Sequence, residues 1–94
     1  MTQIEQTHEK RGKNEIILTV YQTDVTAYTY AIQCHLCRFV RAVYPHQIAA
    51  TYPSPRAAKQ AAVATLRSWT QKSRASRKHL RGFDLLNVDQ LELF

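Results

Sequence analysis

Ninety-four residues at 10.9 kDa suit one small domain, and a 45% hydrophobic content excludes wholesale disorder. Apolar runs of only a few residues exclude a membrane-spanning helix, and two cysteines are too few for a disulfide framework. Thirteen Lys and Arg against seven Asp and Glu leave a net charge of +6, which points to an acidic partner.

The charge is unevenly placed. No carboxylate occurs between Asp24 and Asp84, a stretch that holds ten Lys and Arg. A solvated surface normally mixes both signs, so this block is expected to meet a polyanion, most simply nucleic acid. The same pattern argues against enzymes. Paired catalytic carboxylates and carboxylate-held magnesium need acids converging in a pocket, and here they lie towards the chain ends. With only Gly12 and Gly82, there is no glycine-rich phosphate loop. A non-enzymatic role is therefore expected.

Residues 1–13 (MTQIEQTHEKRGK) are polar and carry no apolar stretch, so they do not read as a secretory signal. A cytoplasmic setting follows as an expectation. The segment reads as an arm, either a frayed helix or disordered, with Gly12 ending any helix. Residues 15–22 (EIILTVYQ) are β-branched and aromatic and predict a strand. Thr23 and Asp24 supply a turn, because Asp bonds its own downstream backbone. Residues 27–33 predict a second strand. Residues 34–44 are ambiguous, since Ile32, Leu36, Phe39, Val40 and Val43 also follow helical spacing. Their content of Val, Phe and Tyr favours a hairpin that turns near His35 and Leu36 and returns over 38–44, stopped by Pro45.

A loop over 46–53 follows, with a short edge strand expected at 48–51. Ser54 is a helix N-cap, Pro55 sits at the first helical position, and residues 56–70 (RAAKQAAVATLRSWT) favour helix. Ala58, Ala62, Thr65, Leu66 and Trp69 form one stripe that should lie on the sheet. Residues 71–81 are basic, with a break expected around 73–76, and Gly82 is a helix-ending residue. The expected class is α+β: a small antiparallel sheet of about three strands packed on one main helix. The organisation expected is an arm at 1–13, a domain at 14–82 and a tail at 83–94. The nucleic-acid contacts are assigned to Arg56, Lys59, Arg67, Lys72, Arg74, Arg77, Lys78 and Arg81.

Cys34-His35-Leu36-Cys37 is half of a zinc knuckle, so Cys34 and Cys37 are candidate metal ligands. Four ligands are needed, and His8, His46 and His79 lack ligand-like spacing. Two buried thiols in a strand pair is the reading carried forward, with no metal and no cofactor expected.

The chain ends Gln90-Leu91-Glu92-Leu93-Phe94. This resembles the Q-L-x-L-F peptide by which bacterial polymerases and repair proteins bind the DNA sliding clamp. The resemblance implies that Leu93 and Phe94 fill an apolar pocket, Gln90 bonds at its rim and Leu91 packs beside it. The other reading is that Leu85, Leu86, Val88, Leu91, Leu93 and Phe94 pack on the domain as a last strand or helix, and both hold together if residues 85–88 dock while the last five project. Cys34, Cys37, Ser54, Ala58 and Trp69 are similar to the second half of restriction-alleviation zinc ribbons, whose first cysteine pair is missing here. The order of strands followed by Ser54-Pro55-Arg56-Ala57-Ala58-Lys59 looks like the end of a double-stranded-RNA-binding domain, and HicB-type antitoxins share that order. The function expected is an accessory in replication, repair or mobile-element biology that holds nucleic acid and binds the clamp. The alternative is a phage- or plasmid-type inhibitor, or antitoxin-like module, that covers an acidic protein.

Overall fold

The structure is a computed structural model that describes residues 1–36, 39–71, 80 and 83–86. Four strands, β1 (Thr2–Arg11), β2 (Asn14–Asp24), β3 (Ala27–Leu36) and β4 (Phe39–Val43), precede a 3₁₀ turn (Pro45–Gln47), helix α1 (Pro55–Thr70) and a second 3₁₀ turn (Asp84–Leu86). The strands form one antiparallel sheet in the order β1-β2-β3-β4, each paired with its neighbour in sequence. The class is α+β, as expected, and the hairpin return is found as β4 over Phe39–Val43, while β3 runs on through His35 and Leu36, where the turn was expected.

The N-terminal segment is the main correction. Neither helical nor disordered, it forms β1, which pairs with β2 from Thr2 opposite Gln22 to Arg11 opposite Asn14. Its polar sequence does not specify a strand by itself, because strand formation depends on the neighbour offered. β2 offers a full ladder of unpaired N–H and C=O groups. Gly12 makes the reversal possible: its φ is +63°, in the left-handed region a tight hairpin loop requires. The register shifts between Gln3 and Glu5, a bulge that, with Lys10 and Arg11, makes the outer edge of the sheet a poor template for further pairing.

At the next reversal, Val25 and Thr26 form the loop, and the Asp24 carboxylate accepts the Val25 N–H at 2.7 Å. The expected edge strand at 48–51 is not formed. A single bridge replaces it: Tyr28 N–H donates to the Tyr52 carbonyl at 2.9 Å, and Tyr52 N–H returns the bond at 2.8 Å.

α1 begins where the sequence places it. Ser54 Oγ accepts the Ala57 N–H at 3.1 Å, and Pro55 follows at the first helical position. The buried stripe is Ala58, Ala62, Val63, Leu66 and Thr70. Thr65 and Trp69, expected in it, lie half-buried at its margins, where Tyr30 and Thr65 share a hydroxyl hydrogen bond of 2.9 Å.

Strand alternation sets the two faces of the sheet. Ile16, Leu18 and Val20 of β2 stand opposite Cys34, Ile32 and Tyr30 of β3, and all six are buried on the side that carries α1. Leu80, Phe83 and Leu85 complete this core, with Phe83 2% exposed. Their arrival is fixed from β1: the Glu9 carboxylate accepts the backbone N–H groups of Asp84 at 3.0 Å and Leu85 at 3.1 Å. Arg11 donates to both Glu9 and Asp84, so one arginine ties the first strand to the last turn.

Candidate nucleic-acid interface

Three of the sequence-assigned cations fall on α1. Arg56 and Arg67 are both exposed, and eleven residues of helix place them nearly in line on its outer face, about 16 Å apart along the axis. Lys59 is different. It lies half-buried and donates to Glu5 of β1 at 2.9 Å, so its charge is engaged in joining helix to sheet. Lys72, Arg74, Arg77, Lys78 and Arg81 lie outside the described residues, as do Gln90, Leu91, Leu93 and Phe94 and the break expected around 73–76.

The described carboxylates are all engaged. Glu5 meets Lys59, Glu9 meets Arg11 and two backbone N–H groups, Glu15 meets His8 at 2.6 Å, Asp24 caps its own turn, and Asp84 meets Arg11. Partial burial pushes the Glu9 carboxyl up. The N–H groups of Asp84 and Leu85, then Arg11, outweigh that and hold it below the usual value. In contrast, Lys10, Lys13 and Arg41 enter none of the ion pairs among the described residues. Arg41 instead places its guanidinium 4.6 Å from the centre of the Trp69 ring, a cation–π contact that fastens β4 to the end of α1.

The sheet face opposite α1 has no covering element among the described residues. Glu15, Ile17, Gln33, His35, Val40, Ala42 and Tyr44 are among the residues that line a depression of about 270 Å³ there. Cross-strand register explains their meeting, since Glu15 stands opposite His35, Ile17 opposite Gln33, and His35 opposite Val40. Val40 is 73% exposed and Tyr44 42% exposed, and the Tyr44 ring stacks on His46. Sequence reasoning missed Lys10, Lys13 and Tyr44, and counted Arg41 only as bulk charge. The available signal was period-two alternation, which required knowing that residues 1–13 form a strand.

Cys34 sits in the core at 3% exposure, where burial pushes its thiol up to about 11. A thiolate is the metal-binding form, so this environment opposes ligation. Cys37 lies outside the described residues, and among those described no group of three or more His, Cys, Asp or Glu could hold a metal ion. No described helix is long and apolar enough to cross a membrane. No protein family matches the chain, and no curated protein or solved structure shows significant similarity to it.

Proposed function

We propose that this chain is a non-enzymatic, cytoplasmic accessory of DNA replication, repair or mobile elements that binds the bacterial sliding clamp through Gln90, Leu91, Leu93 and Phe94. The single observation that carries this reading is the terminal sequence Gln90-Leu91-Glu92-Leu93-Phe94, which has the right residue types at the right spacing for a pocket-binding peptide. The position of the last anchored residues supports it. Phe83 and Leu85 are buried and held by Glu9, and eight residues follow Leu86. Three of these, residues 87–89, separate the anchored turn from Gln90, a reach of about 10 Å when fully extended.

Nucleic acid is the second partner. Arg56, Arg67 and the basic segment that contains Lys72, Arg74, Arg77, Lys78 and Arg81 supply positive charge, while each described carboxylate is already engaged. A short peptide in a pocket binds in roughly the micromolar range, and simultaneous DNA contact raises its effective affinity by avidity.

The test compares the full chain with one lacking residues 90–94, against purified clamp and against clamp loaded on DNA. Clamp binding should vanish with the five residues while the melting temperature holds. A large fall in melting temperature would instead make the pentapeptide part of the core and overturn the reading. Nucleic-acid affinity should fall steeply with the logarithm of salt concentration.

A further inference from the structure

An open β-sheet face with exposed Val40 and Tyr44 is an unpartnered surface, and its surroundings identify what fits. The depression lies at one end of the sheet. Lys10 stands opposite Glu15 in the β1–β2 ladder, and Lys13 occupies the adjoining turn. Two cations outside the described ion pairs therefore border a pocket whose one carboxylate, Glu15, is held by His8, while Arg41 sends its guanidinium to Trp69 on the other face of the sheet. The floor is apolar at Ile17, Val40 and Ala42, one ring stands at Tyr44, and hydrogen-bonding groups are supplied by Gln33 and His35.

Resting on the nucleic-acid half of the function proposed above, we propose that this face binds a single unpaired strand, with a base in the depression against Tyr44 and neighbouring phosphates on Lys10 and Lys13. An unpaired base offers a flat π-face and a free hydrogen-bonding edge, which match the ring and the Gln33–His35 pair. Uncovered four-stranded sheets that display aromatic rings stack unpaired bases in this way in other proteins. A duplex hides its base faces inside the stack and cannot present one to Tyr44.

Two further observations favour a polar polyanion over a second copy of the chain. Sheet-on-sheet packing calls for interdigitating apolar side chains, whereas this face carries the exposed polar side chains of Gln6, Gln33 and His35. In addition, two copies at +6 each repel one another.

The experiment is fluorescence anisotropy of the full chain with labelled oligothymidylate, oligouridylate and a DNA duplex of equal length. At least one unpaired strand should bind more tightly than the duplex, and a preference between the two identifies the sugar. Tyr44→Ala should weaken that binding about tenfold, with Tyr44→Phe close to wild type and both melting temperatures unchanged. Lys10→Ala and Lys13→Ala should each lower the slope of log affinity against log salt by about 0.7 on a single strand. The proposal fails, and the broader nucleic-acid reading survives, if duplex and single strand bind alike, Tyr44→Ala is neutral, and Arg56→Ala with Arg67→Ala weakens both. Absence of binding to every oligonucleotide removes both. A dimer in sedimentation that Val40→Glu dissociates makes the face a self-interface and overturns the proposal.

Discussion

At the residue scale, Glu9 connects more of the molecule than any neighbour on its strand. Its carboxylate, with a side chain 17% exposed, receives Asp84 N–H, Leu85 N–H and Arg11 Nε. Removing it leaves the half-buried Leu85 N–H without its acceptor and returns the exposed Asp84 N–H and Arg11 to water, so Glu9→Ala should cost about 1 kcal/mol. Thermal unfolding by circular dichroism should show this as a fall of about 4–8 °C for each kcal/mol in a domain of this size. The pH dependence has a definite sign. The folded-state pKa of Glu9 is depressed, so its contribution is complete above the unfolded value near 4.5 and is lost as pH falls through the lower folded value. Glu9→Gln should therefore flatten the acid limb of a stability–pH curve, and an unchanged acid limb would show that Glu9 is not a source of it.

At the element scale, the contrast between α1 and β1 is instructive. The helix announces itself through a cap, a proline and an alanine-rich body, each acting within a few residues of chain. Ser54→Ala removes the acceptor for Ala57 N–H and should destabilise the fold by about 1 kcal/mol, read as a shift of the urea midpoint at constant slope. β1 gives no such local signal. Thr7 and Glu9 sit half-buried towards the helix side while Gln6, His8 and Lys10 face the other way, a weak alternation that only pairing with β2 turns into a strand. Residues 34–44 were ambiguous for the opposite reason: their apolar spacing suits both periods, and the ladder with β3 decides for the strand.

At the scale of the whole molecule, one layer of sheet and one helix bury a thin core that the C-terminal residues complete. Leu80, Phe83 and Leu85 are each 5% exposed or less. Burying each such side chain stabilises by roughly 1.5–3 kcal/mol, which together approaches the full stability of a small domain. A chain ending at residue 79 should therefore lose its cooperative thermal transition, while one ending at residue 89 should keep it. A sharp melt from the shorter chain would show that the core closes without those three side chains. This boundary was only partly legible beforehand: the apolar residues from Leu85 onward also read as a last packed element, but Leu80 sits inside the basic segment 71–81, where nothing local marks it as core.

What the sequence determined alone is what acts over short distances: the α1 cap and stripe, the two central strands and the cationic bias. Chain neighbours or simple charge counts decide each of these, with no need for a distant partner. Tertiary structure alone decided that the polar N-terminus becomes an edge strand, that Lys59 is engaged by Glu5 fifty-four residues away, and that Ile17, His35, Val40 and Tyr44 share one open depression. Those outcomes depend on register and on long-range ladder pairing, where a shift of one residue would exchange the two faces of a strand.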